Sequence, residues 1–239
     1  MEENKKILVN LMNRYNLSMY EKYEFVNIVY PIFKHKEFQR RMTNEFKHHE
    51  NTTLGYHILQ VSIQTYLNCK KKINNGRYID IRLSVIIAML HDLYELPWQN
   101  NPHAYSKKII HRHGFRHPIE AVINAIVWYP ELFKNTNDAK IIIDGILHHM
   151  YPPPLPCIYT FDENIIELKN YNKINKIPES LRKIIINSTN RGKIGKVSIC
   201  MSKYFEGRIA CIADTSVSFS NFDSLQGTLS LLTGKNSKL

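Results

Sequence analysis

Leu83-Ser84-Val85-Ile86-Ile87-Ala88-Met89-Leu90-His91-Asp92 is the stretch on which the fold turns. An apolar run with no polar alternation offers no face to solvent, so it belongs inside a protein. We read it as the end of a helix spanning Ile79 to Tyr94 and closed by Pro97, because proline cannot continue a helix. His91 and Asp92 are neighbours at its end, where one backbone turn delivers an imidazole nitrogen and a carboxylate oxygen to the same small volume. Such a pair suits a divalent metal ion.

Outward from this run, the apolar residues recur with a helical period almost throughout. Ile7, Leu8, Leu11 and Met12 predict one stripe, and Tyr23, Val26, Val29 and Tyr30 another. Pro31 is expected at a helix start or kink, followed by Phe33, Phe38, Met42 and Phe46 at roughly helical spacing. Thr52 or Thr53 suits the N-cap of a helix carrying Leu54, His57, Ile58, Val61 and Tyr66, which ends at the Asn74-Asn75-Gly76 turn. His117-Pro118 is expected to open a further helix, with Pro118 in its first turn. Asp138 to His149 forms another, stopped by Pro152-Pro153-Pro154. Thr160 to Lys196 reads as an irregular polar insertion with a short helix or two, and Val197 to Ser220 returns to an apolar pattern around Asp214. With no internal repeat and little strand alternation, the expected fold class is all-α, a compact helical bundle.

The chain of 239 residues is 44% hydrophobic, enough for a sizeable core. Its net charge of +11 would fit a nucleic-acid or anionic partner, but a Lys-, Asn- and Ile-rich bias, strongest from Asn164 to Lys196, produces the same excess. Aromatic-basic interleaving and helix-turn-helix strings are missing, so a nucleic-acid partner is not expected. The four cysteines, Cys69, Cys157, Cys200 and Cys211, form no CxxC pair, which excludes a zinc ribbon and fits reduced thiols. Met1 to Lys6 lacks an apolar signal core and no apolar stretch is long enough for a bilayer, so a cytoplasmic protein without membrane contact is expected. A homo-oligomer is compatible with the sequence.

The histidines fall in a telling order. His57 lies mid-helix on an apolar face, His91-Asp92 ends the next long helix, His117 starts one and His148-His149 ends one. Asp214 sits in the apolar Ile209-Ala210-Cys211-Ile212-Ala213 context, where a carboxylate is costly unless paired or metal-bound. Singly, each has an ordinary explanation as a core histidine, a cap or an ion-pair partner. Together they place a ligand-type residue on several separate helices.

The ordered set His57, His91-Asp92 and Asp214 resembles the signature of the HD-domain metal-dependent phosphohydrolases. Tyr56-His57-Ile58-Leu59-Gln60-Val61-Ser62, Ala88-Met89-Leu90-His91-Asp92 and Ala210-Cys211-Ile212-Ala213-Asp214 are similar to its motifs, and His117 and His149 resemble the added ligands of HD proteins with two or three metals. A closer likeness is to bacterial HD proteins sharing His49-x-x-Thr52-Thr53, His113-Gly114-Phe115-Arg116-His117-Pro118 and His149-Met150-Tyr151-Pro152. Asp92 is followed by Leu93-Tyr94-Glu95 rather than Ile-Gly, and no GYP string is present, so the likeness does not extend to a cyclic-dinucleotide substrate.

With the resemblance, the expected organisation is residues 1–47 as N-terminal helices on the core and 48–233 as an HD domain; the residue pattern itself gives the polar insertion at about 158–196 and a frayed tail at 234–239. The resemblance implies one ion on His57, His91, Asp92 and Asp214, with Asp92 bridging to a second on His117 and His149 and with His148 as an alternative or added ligand. Such mixed ligands suit Mn, Fe, Ni, Co or Zn better than Mg. The implied activity is hydrolysis of a small phosphorylated substrate, a nucleotide foremost, by metal-activated water. Asp92 and Glu95 are the catalytic candidates, because continued helix would set Glu95 on the face of His91 and Asp92. His49, Arg116, His113 and Trp98 are the substrate-binding candidates. The competing expectation is a non-catalytic HD module that senses a metal or nucleotide.

Overall fold

The computed structural model describes residues 1–49, 52–97, 113–150, 158–159, 173–194 and 197–220. Its helices are α1 (Glu2–Arg14), α2 (Met19–Phe33), α3 (Lys36–Arg41), α4 (Leu54–Asn74), α5 (Ile81–Leu90), α6 (His113–Trp128), α7 (Thr136–Leu147), α8 (Glu179–Thr189) and α9 (Phe205–Ser220). Two small antiparallel sheets accompany them: β1 (Lys47–His49) with β2 (Thr52–Thr53), and β3 (Ile158–Tyr159), β4 (Lys193–Ile194) and β5 (Val197–Ser198) in the order β3-β5-β4. The architecture is all-α.

Helix α5 is the axis of the bundle. Every residue from Leu83 to Leu90 is buried, and α2, α4, α6, α7 and α9 all pack against it. A helix apolar on all sides is stable only when enclosed in this way. The Asp80 side chain caps its start by accepting from the Leu83 N–H. The helix stops at Leu90, earlier than the apolar pattern predicts, and begins two residues later. Beyond it, Leu93 and Tyr94 are still buried but are no longer helical.

Helix α4 begins at Thr53, whose hydroxyl accepts from the Tyr56 N–H as the sequence predicts. In α2 the buried face is Phe25, Val29, Ile32 and Phe33, while Tyr23 and Tyr30 of the expected stripe face solvent. The correct choice is i, i+4, i+7, i+8, and tyrosine's hydroxyl lets its ring lie at the surface. Pro31 falls inside the last turn of α2, and Phe33, Phe38, Met42 and Phe46 are all buried as expected. Helices α1 to α3 feed the same core as the rest of the bundle. Helix α6 is already formed at His113, so Pro118 lies inside it rather than opening it.

The region predicted to be an irregular insertion contains an integral element. Helix α8 buries Leu181, Ile185, Ser188 and Thr189 and packs on α7. Helices α7 and α9 meet closely: a β-carbon on Gly207 would fall 2.7 Å from the Cα of Gly145 and 2.3 Å from Ser202 Oγ. Glycine is needed there for proximity. Among the described residues no helix is long and apolar enough to cross a membrane. Cys157 and the 234–239 tail lie outside the described residues.

Candidate metal centre

Each histidine of the centre comes from a different helix or helix end, all converging on the C-terminal end of α5. His57 stands in the first turns of α4, His91 caps α5, His117 lies in α6 and His149 follows α7. Asp214 lies in α9, four residues after the buried Ala210, so it shares that residue's inward face.

The two oxygens of Asp92 face different imidazoles. Oδ2 lies 3.4 Å from His91 Nε2 and 3.8 Å from His57 Nε2. Oδ1 lies 3.3 Å from His117 Nε2 and 3.7 Å from His149 Nε2. Asp214 Oδ1 closes the first group, 3.1 Å from His57 Nε2 and 3.6 Å from His91 Nε2. His117 Nε2 and His149 Nε2 are 2.9 Å apart. Donors held about 2.1 Å from one ion lie about 3.0 Å apart at a right angle and about 3.4 Å apart at the tetrahedral angle. Most of the spacings fall near those values, and two sets of donors, His57 with His91 and Asp214, and Asp92 with His117 and His149, could each hold a metal ion.

Tautomers support the same fit. His91, His117 and His149 each direct Nδ1 at a backbone carbonyl, those of Ala88 (2.7 Å), His113 (3.2 Å) and Ile146 (2.7 Å). A carbonyl only accepts, so Nδ1 carries the proton and a neutral ring presents its Nε2 lone pair to the centre. His91 Nε2 is buried without a hydrogen-bond partner, and two lone pairs 2.9 Å apart on His117 and His149 call for a cation or proton between them.

Electrostatics divide the rings. Burial holds His149 down to about 3, helped by His117 and His91, and burial likewise lowers His117. Neutral imidazoles are the form that binds metal. Burial also opposes charge on His91, but Asp92 and Asp214 beside it prevail and raise it well above its ordinary value. For the carboxylates, burial is outweighed by the neighbouring imidazoles, which hold Asp92 and Asp214 well below the usual range.

The remaining predicted site residues are placed differently. His148 belongs to no donor group among the described residues, so its role as an alternative or added ligand finds no partners there; its Nδ1 meets the Asp144 carbonyl at 2.9 Å and the Asp144 carboxylate at 3.5 Å. Glu95 does not share a helical face with His91 and Asp92, since α5 ends at Leu90, and it is ion-paired with Lys173. His113 is buried behind His117, with ring centroids 5.1 Å apart, and it orients that ligand through its carbonyl. Arg116 is buried in α6, where its charge acts on Glu120 and His113. Trp98 and the side chain of His49 lie outside the described residues.

Three supporting residues escaped the sequence reading. Arg41 is fully buried; it donates to the Tyr94 carbonyl and to the Glu37 carbonyl, and its guanidinium lies over the rings of Phe46 and Trp128. It thereby ties α3 to the segment that follows Asp92. Asp144 accepts from Ser188 Oγ, Ser202 Oγ and the Lys203 N–H, each at 2.7 Å, and from Arg191 at 2.6 Å. It joins α7, which leads to His149, to α8 and to the entry of α9, which carries Asp214. His48 stacks on His57 with centroids 4.0 Å apart. Its only sequence signal was its place beside His49.

Comparison with known proteins returns no match: no family model, no curated protein and no solved structure matches the chain. What stands is a helical protein with a buried His/Asp cluster able to bind metal, compatible with an HD-type fold.

Proposed function

We propose that this chain is a divalent-metal-dependent phosphohydrolase of the HD superfamily, acting on a nucleotide or a related small phosphorylated substrate. The observation that carries the reading is the division of Asp92 between two ligand groups, Oδ2 with His57, His91 and Asp214, and Oδ1 with His117 and His149. A carboxylate shared in this way would let the two groups hold cations close together, an arrangement suited to clamping a phosphoryl group.

The donor set of imidazoles and carboxylates suits Mn, Fe, Ni, Co or Zn, whereas Mg and Ca favour oxygen shells. When bound, such ions supply Lewis acidity and make water acidic enough to act as a nucleophile near neutral pH. The chain's own contribution is positional. Carbonyls of Ala88, His113 and Ile146 fix three rings, and burial of Asp92 and the surrounding rings excludes bulk water from that side. Preorganised charge of this kind requires no rearrangement when negative charge develops on the substrate.

The test is metal content by elemental analysis together with turnover of a panel of nucleoside mono-, di- and cyclic phosphates. The expected result is about two ions per chain and, in Asp92→Ala, loss of both with a fall in turnover of about two orders of magnitude or more. Unchanged metal content in Asp92→Ala overturns the bridging assignment. Metal without turnover of any phosphoester selects the sensor reading instead.

A further inference from the structure

His48 sits at an irregularity of the β1–β2 hairpin. Lys47 pairs with Thr53 and His49 with Thr52, so His48 is the extra residue of a bulge. A bulge bends the strand and re-aims the side chain it carries. The hairpin is anchored on both sides: Phe46 is fully buried and its carbonyl accepts from the Leu54 N–H at 2.7 Å, while Thr53 caps α4. The bulge therefore sets His48 between these two anchors.

Its imidazole lies face to face with that of His57, with centroids 4.0 Å apart and planes 20° apart. A ring nitrogen of His48, one of His57 and an oxygen of Asp92 all lie within 4.8 Å of one another. The lone pairs of near-parallel stacked rings run side by side and do not converge on one point. An ion in the plane of the His57 ring thus lies well out of the His48 plane. The His48 nitrogen that lies within 4.8 Å of the His57 nitrogen and the Asp92 oxygen would thus stand beside such an ion rather than on it, within reach of an anion bound there. His48 is half-buried, whereas His57 is buried.

From this stacking we infer that His48 is a substrate-contacting residue, donating a ring N–H to a phosphoryl oxygen held over the His57–Asp92–Asp214 end of the centre. The inference rests on the metal-centre reading above. A neutral imidazole suffices, since one of its nitrogens carries a proton in either tautomer.

Protein loaded with Co(II) and titrated with inorganic phosphate, followed by visible absorption, reads the ion and the anion separately. His48→Phe keeps the stacked ring and removes the donor; His48→Gln keeps a donor. The expected result is unchanged Co(II) affinity in both variants, phosphate affinity lower by about tenfold or more in His48→Phe, and partial recovery in His48→Gln. Wild-type phosphate affinity in His48→Phe overturns the inference. So does a loss of Co(II) affinity in His48→Phe, which would make His48 a metal ligand. Wild-type protein that takes up no Co(II) overturns the metal centre itself and His48 with it, whereas a failure confined to His48→Phe leaves that centre standing.

Discussion

Asp92 faces two imidazole groups because it lies just past the last turn of α5, where the chain leaves the helix and the carboxylate stands clear of it. His91 and Asp92 were legible in the sequence because they adjoin an apolar run, and a charge at the end of such a run calls for partners. His48, Arg41 and Asp144 were not legible. Arg41 meets Tyr94 from 53 residues away, and Asp144 meets Ser202 from 58; no local pattern marks a partner at that distance. Asp144 has a measurable consequence. Burial raises its pKa, but His148, Ser188, Ser202 and Arg191 outweigh burial and lower it below the ordinary value. The carboxylate's contribution is therefore fully present above the unfolded pKa of about 3.9 and is lost as pH falls through the folded value. Asp144→Asn is expected to cost about 2–3 kcal/mol in urea unfolding at pH 7, and the gap from wild type is expected to narrow below pH about 4. A gap that stays constant with pH would show that the charge is not what matters.

At the scale of elements, the centre depends on how α4, α5, α6, α7 and α9 are held relative to one another. Periodicity located these helices but misplaced their ends. Helix α5 stops at Leu90, which removes the basis for Glu95 on the face of His91 and Asp92, and α6 is helical from His113, before its proline. Helix ends are set by tertiary partners such as the Arg41 bond to Tyr94 and the Asn124 bond to the Leu93 carbonyl at 2.6 Å, and the sequence pattern carries little of that. The close approach of α7 and α9 at Gly145 and Gly207 is a further case. Gly207→Ala forces these helices apart, so stability should fall by about 1–3 kcal/mol. Asp214 would move with α9, and metal affinity should fall as well, measurable by chelator competition. Wild-type stability in Gly207→Ala would mean that Ser202 and the helix backbones give way at no cost.

On the scale of the whole molecule, donors from five separate helices or helix ends would make a bound metal a cross-link of the folded state. The unfolded chain has no such site, so binding adds to stability by mass action, about 2.7 kcal/mol at a hundredfold excess over Kd. In a chain of 239 residues this corresponds to a rise in Tm of roughly 5–10 °C on adding Mn(II) or Zn(II) to chelator-treated protein, read by scanning fluorimetry. No shift for wild type, or an equal shift in Asp92→Ala, would argue against a shared centre. The surplus of positive charge plays no part in assembling the centre, whose Asp92, His57, His91, His117 and His149 are buried.

By itself the sequence determined the all-α class, the central buried helix and the residue types available for metal binding. These follow from local periodicity and from the cost of burying a carboxylate, which each residue carries in its own neighbourhood. Only the tertiary structure decided which oxygen of Asp92 faces which imidazole, that His148 belongs with Asp144 and not with the ligands, that α8 is part of the bundle, and that His48 lies over His57. These depend on contacts between residues far apart in the chain, whose positions are set by the packing of whole helices.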